Sequence, residues 1–261
     1  MLNFKRLFAF FLIFFGLQFG HAQLGFAHEI GVVFGPVEFR SDFGSRNDTK
    51  NNFSNSGIGI GIVHYLNLSY RRSSNCCSTD GYFNDHFKLR TEFSWNRTKL
   101  QHYGEWVGSD SVTENANKLR AHTGEANNYN IGMEWEYFPF SISAFSAYDF
   151  SFAPFISLGA HYTIFNPKAA TTYGDQNIFN ANNFYSEWDA GSINAEGGTT
   201  WSVVASIGTR FKLSTLSDLM VNFRWQYYGN DLIDGLDHQL DSNKSKDWLL
   251  WLNFGYIYYL N

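Results

Sequence analysis

After residue 22 the sequence has no long uncharged apolar run, which excludes a conventional membrane-crossing helix of ~20 residues. Charge is scarce as well. Asp, Glu, Lys and Arg make up 16% of the chain, against ~25% in an ordinary domain. The net charge of −5 argues against a nucleic-acid partner. Cysteine is limited to the adjacent pair Cys76 and Cys77. Neighbouring Cα atoms lie ~3.8 Å apart, closer than the ~4.4–6.8 Å usual for a disulfide. Free thiols, a vicinal bond and an intermolecular link all stay open. The eight histidines have no paired spacing, so they define no metal site. The residues call for no catalytic centre and no cofactor.

Aromatic residues, by contrast, reach 19%, yet mean hydropathy is only −0.28. Alternating strands with aromatic girdles produce that combination, because every second residue is polar or small. The most informative stretch is Asp247–Asn261. Leu250, Leu252, Phe254, Tyr256, Tyr258 and Leu260 fall on one face; Trp251, Asn253, Gly255, Ile257 and Tyr259 fall on the other. A strand with lipid on one side and a packed lumen on the other reads this way. The competing reading is a strand of a soluble sandwich.

At the other end, Lys5 and Arg6 precede an apolar run from Leu7 to Phe19, closed by Gly20-His21-Ala22. This pattern predicts a secretory signal peptide over residues 1–22, and a domain over 23–261 that works outside the cytoplasm. The alternative is a retained N-terminal anchor. Any lipid-spanning part must then be a closed barrel, since lipid satisfies no open backbone groups.

Period-two segments recur along the chain at about His28–Gly35, Gly57–Leu66, His86–Thr98, Tyr129–Phe138, Phe150–Phe165, Thr199–Leu213, Leu219–Tyr227 and the terminal stretch. The links after the first, third, fifth and seventh segments are long and polar. The predicted fold class is all-β: an eight-stranded antiparallel transmembrane β-barrel with short periplasmic turns and long external loops. One link, Asn67–Asp85, is long for a periplasmic turn. It holds Arg71 and Arg72 beside Cys76 and Cys77 and is a candidate periplasmic docking surface, or else a solvated loop.

Inward-facing positions collect Glu29, Lys88, Arg90, Glu92, Glu134, Glu136, Arg210, Lys212 and Arg224. An eight-stranded lumen is just wide enough for side chains to fill, and buried charges must pair. A salt-bridged plug follows. The functional alternative is a proton path or a catalytic carboxylate pair, Glu134 and Glu136. Gly57-Ile-Gly-Ile-Gly61 lies inside a strand with no helix after it, so it is a row of small lumen residues and not a nucleotide loop. The predicted external loops carry Tyr103, Trp106, Tyr173, Phe184, Tyr185 and Trp188, which either stack on a sugar or apolar ligand or pack on one another.

The run Phe155-Ile-Ser-Leu-Gly-Ala-His-Tyr-Thr-Ile-Phe-Asn-Pro-Lys-Ala169 resembles a strand and loop entry of PorG-type outer-membrane barrels of Bacteroidota. So do Val203-Val-Ala-Ser-Ile-Gly-Thr-Arg-Phe-Lys-Leu213, Leu219–Trp225 and Tyr228-Gly-Asn-Asp-Leu-Ile-Asp234. The resemblance is best over residues 153–234, and its specific piece is Phe165-Asn-Pro-Lys-Ala169. It implies a non-enzymatic eight-stranded barrel, attached to the type IX secretion and gliding machinery, that anchors periplasmic ring lipoproteins. The chain departs from the pattern at Gln226-Tyr227-Tyr228, where a basic residue and Thr are expected. Two other functions compete with a lipid-embedded anchor: a narrow pore or small-ligand binder, and an outer-membrane lipid-modifying enzyme.

Overall fold

Side-chain parity builds this fold. The computed structural model describes residues 27–44, 48–69, 80–189, 191–238, 240 and 245–260. The predicted signal peptide, Arg71, Arg72, Cys76 and Cys77 lie outside the described residues. Among the described residues nine strands form: β1 (Ala27–Arg40), β2 (Ser56–Asn67), β3 (Phe87–Gln101), β4 (His122–Tyr137), β5 (Phe152–Phe165), β6 (Lys168–Thr171), β7 (Gly198–Ser214), β8 (Ser217–Tyr228) and β9 (Trp248–Leu260). Every pairing is antiparallel. β1 bonds to both β2 and β9, and β3 bonds to β4, so eight strands close into a barrel. The ninth, β6, adds only to the far end of β4.

The outward residues form an apolar belt, interrupted on β2 and β3 by the paired His64 and Thr91. Ile30, Val32, Phe34, Ile58, Ile60 and Ile62 alternate with buried neighbours, as do Ile131, Met133, Ile207, Phe223 and Phe254. So large an exposed apolar band is a lipid-facing surface, and closure leaves no backbone edge unpaired in it.

Four longer links, 41–55 with helix α1 (Thr49–Ser54), 102–121, 166–197 and 229–247, gather at one end of the barrel, which is the external end by the rule for bacterial barrels. The opposite end departs from the expected short turns. Only the β7–β8 connection at Ser214–Ser217 is tight. The other two links carry helices, α2 (Asp80–His86) and α4 (Ile142–Ser146). Asp85 of α2 accepts hydrogen bonds from the Ser143 amide at 3.0 Å and its hydroxyl at 2.5 Å, locking the helices together. Phe83 stacks on Phe87 at 4.6 Å and meets Trp135 edge-on, so α2 lies over the lipid-facing foot of β3 and β4.

The stretch Lys99–Asn128 is not a plain loop. β3 continues to Gln101, helix α3 (Glu114–Ala121) follows, and β4 begins at His122. Above the lipid the outward residues become Thr123, Glu125 and Asn127, so the alternation loses its apolar member. β6 was hidden inside the predicted 166–198 loop for the same reason.

Two inward glycines show how tightly the lumen is filled. A Cβ on Gly59 would come within 2.5 Å of the Trp251 ring, and one on Gly159 within 2.8 Å of the Glu134 side chain. Real Cβ atoms do not approach so closely, so these strands need glycine where large residues lean across.

Candidate functional site

The structure brings all nine sequence-predicted lumen charges into one cluster in the turn-end half of the barrel. They are all buried. The strands align them directly: Lys88 lies across from Glu136 and Arg90 across from Glu134. Glu29 accepts hydrogen bonds from Lys88 Nζ and from Arg210 Nη1, both at 2.6 Å, and from Asn67 Nδ2 at 3.1 Å. Arg210 Nη2 reaches Glu136 Oε2 at 3.1 Å. Arg224 grips Glu92 with both arms of its fork, at 2.6 and 2.5 Å, and reaches Glu134 at 3.0 Å. Arg90 also donates to Glu92. Arg210 lies over the Tyr65 ring at 4.1 Å, and Arg224 over Trp251 at 5.1 Å.

Two members escaped the sequence reading. Asp218 pairs with Lys212 at 3.2 Å and accepts from the Tyr259 hydroxyl at 2.6 Å. His161 places Nε2 3.3 Å from Glu134 Oε1. Asp218 makes the balance even: Glu29, Glu92, Glu134, Glu136 and Asp218 face Lys88, Arg90, Arg210, Lys212 and Arg224. Both missed residues obey the inward parity of their strands, which is the signal that finds them.

Above the charges lies an amide and hydroxyl layer. Gln226 Nε2 donates to Asn130 Oδ1 at 3.0 Å and to Ser202 Oγ at 2.8 Å. Thr163 donates to Asn130 and Asn128 to Asn96. Gln226, which replaces a basic residue of the resembled pattern, is thus a neutral link in this layer. An apolar stopper closes the loop end, with Phe39, Phe43, Leu100, Phe165, Ile233, Leu236 and Leu249 packed together. Glu134 and Glu136 sit under all of this, and neither faces a surface where a substrate could arrive. The arrangement can hold the barrel shut and carries no sign of an acid–base pair at work.

The loop end offers a different surface. A cavity of about 260 Å³ opens there, lined among others by Tyr103, Trp106, Tyr185, Trp188, Leu119, Asp42, His102 and His238. Four of the six sequence-singled aromatics meet in it. Phe184 and Tyr173 do not line it: Phe184 packs behind Trp188, and Lys118 lies over the Tyr173 ring. The floor is held by backbone-to-carboxylate ties between two loops. The Asp42 amide donates to Asp234 Oδ2 at 3.0 Å, and the His238 amide donates to Asp42 Oδ2 at 3.2 Å. The carboxylates of Asp42, Asp231 and Asp237 converge within 4.8 Å of one another.

His102 also connects loops. Its Nδ1 accepts from the Gly44 amide at 3.1 Å, so Nε2 carries the proton and donates to His122 Nδ1 at 3.0 Å. Burial, with His122 and His238 close by, holds the His102 pKa well below the usual histidine value. The folded cap therefore keeps His102 neutral, while the unfolded form takes a proton below about pH 6.5. That contribution to stability is present above pH 6.5 and is lost as pH falls. Asp234, raised by burial and by Asp42, works in the opposite sense. Comparison with His102→Gln isolates the histidine, since Asp234 is the same in both. The variant is expected to match the parent in loop proteolysis at pH 7.5 and to be cut more slowly at pH 5.5. Equal cleavage at both pH values would show that His102 does not control the cap.

No protein-family model matches the sequence, and a search of curated proteins finds no match. Several solved structures are similar to this chain at low identity. The attachment invasion locus protein Ail of Yersinia pestis shares 11% identity over 91% of this chain and 100% of its own, with a TM-score of 0.43. Neisserial surface protein A shares 13% over 90% of this chain and 96% of its own, with a TM-score of 0.41. A major outer-membrane protein of Thermus thermophilus shares 12% over 90% of this chain and 100% of its own, with a TM-score of 0.46. Likeness at this level leaves function to be argued from the residues of this chain.

Proposed function

We propose that the protein is a non-enzymatic anchor in the outer membrane of a Gram-negative bacterium. Its closed barrel would hold two working ends in place. The observation that carries this reading is the sealed lumen: Glu29, Arg90, Glu136, Arg210, Asp218 and Arg224 are all 0% exposed. A lumen filled in this way favours an anchor over a pore.

For the periplasmic end, the resemblance to PorG-type barrels suggests ring lipoproteins of the type IX system as partners. The docking surface would be the link that holds Arg71, Arg72, Cys76 and Cys77. Mild crosslinking in native cells tests this, with an affinity tag inserted at the exposed Val112 in an external loop. Ring lipoproteins are expected among the recovered proteins. Recovery of only the barrel itself and lipid would remove the secretion partner.

A second reading is favoured by the loop-end cavity. Its aromatic walls suit a small ligand with a flat apolar or sugar face. Steady single-channel current from the purified barrel would overturn the sealed lumen and, with it, the anchor reading.

A further inference from the structure

One charged patch belongs neither to the lumen nor to the cavity. On the outward face of the barrel, at its loop end, Lys99 lies across from Glu125, and Glu125 lies across from Lys168. Arg97 Nη2 donates to Glu125 Oε2 at 2.6 Å, and Lys168 Nζ donates to Oε1 at 2.9 Å. Lys99 is exposed and has no ion-pair partner among the described residues. Three cations thus surround one carboxylate, in a protein whose net charge is −5. Glu125 is almost covered, whereas the Arg97 and Lys168 side chains stay 43% and 62% exposed.

The height of the patch gives it meaning. Toward mid-barrel on the same face, Trp95 sits opposite Tyr129, and beyond them Phe93 sits opposite Ile131. Aromatic residues at that position mark the edge of the hydrocarbon, so the patch stands at headgroup level. Arg97 uses one nitrogen on Glu125 and keeps further donors of its planar fork available, the geometry that suits phosphate oxygens.

We propose that Arg97, Lys99 and Lys168 form a docking site for the phosphate of an anionic lipid in the external leaflet. Its acyl chains would run down the Trp95 and Tyr129 face. Glu125 positions Arg97 and Lys168 and is not itself a ligand for the anion. The inference rests on the membrane reading of the barrel, and on neither the secretion partner nor the cavity.

The test is native mass spectrometry of the full barrel in neutral detergent, titrated with diphosphoryl lipid A or with the same lipid stripped of phosphate. Each basic residue at an anionic membrane surface is worth about fivefold in affinity. Glu125 offsets one of the three charges, so the wild type is expected to prefer the phosphorylated lipid by about 25-fold. The triple variant R97A/K99A/K168A should lose that preference, and Glu125→Gln should keep or strengthen it. Circular dichroism checks that each barrel is folded. Equal retention of both lipids by the wild type, or an undiminished preference in the triple variant, would overturn the proposal. Displacement of the lipid by an equal concentration of inorganic phosphate would also overturn it, by showing a site for free phosphate.

Discussion

Replacing Arg224 by methionine is expected to lower the unfolding free energy of the barrel by about 3–5 kcal/mol, the usual cost of breaking a buried ion pair from one side. Arg224 holds Glu92 through two hydrogen bonds and Glu134 through a third. Without it, five carboxylates face four cations among side chains that are almost wholly buried. Arg90 still touches Glu92 but is already shared with Glu134 and Glu136. Removing both partners tests the cause. The double variant Glu92→Met with Arg224→Met keeps the charges even, and it should recover most of the loss, because swapping a whole buried pair for apolar volume is often near neutral. Urea unfolding in micelles, followed by tryptophan fluorescence, measures both. A loss under about 1 kcal/mol for Arg224→Met, the range of an exposed pair, would mean that water shares the lumen, and the anchor reading would lose its main support.

The sequence made the belt and the lumen charges legible for one physical reason. Lipid favours apolar side chains on the outward face, so Ile30, Val32 and Phe34, or Leu252, Phe254 and Tyr256, recur at every second position and fix the parity of their strands. Once parity is fixed, Glu29 or Arg210 has nowhere to go but inward. Asp218 lies where β8 starts before its first apolar outward residue, and His161 carries no fixed charge that would mark it as a member of an ion cluster. The loop end followed no such rule. His102 meets His122 across the ends of β3 and β4, and Asp42 meets Asp234 across two loops distant in sequence. Loop closure in three dimensions creates those contacts, and no local period announces them. The same loss of period hid β6. With it went the ladder Lys99–Glu125–Lys168, whose members lie on three strands.

Trp188→Ala is expected to open the external cap while leaving the barrel intact. Trp188 is where the loops meet: it stacks on His238 at 5.9 Å and 13°, packs on His102 at 5.7 Å, and meets His122 edge-on at 5.5 Å. Tyr185 and Phe184 of its own loop complete the cluster. Truncating a large aromatic in a packed core costs ~3–5 kcal/mol, and Trp188 is partly buried, so about 2–4 kcal/mol is expected. That energy is local, because none of these contacts contributes to the hydrogen-bonded ladders. Hydrogen exchange should therefore speed up on the order of a hundredfold in the loops around His102, Phe184 and His238. Amides of β1, β8 and β9 should be unchanged, and so should the urea midpoint that Arg224→Met moves. Trp188→Phe, which keeps an aromatic face toward His238, should give a smaller effect. Unchanged loop exchange in Trp188→Ala would mean that the backbone ties through Asp42 and Asp234 hold the cap without it. Loss of exchange protection in the strands would instead make the cap part of the barrel's own folding unit. The cavity walls would then be as fixed as the lumen beneath them, and a ligand would meet a preformed site.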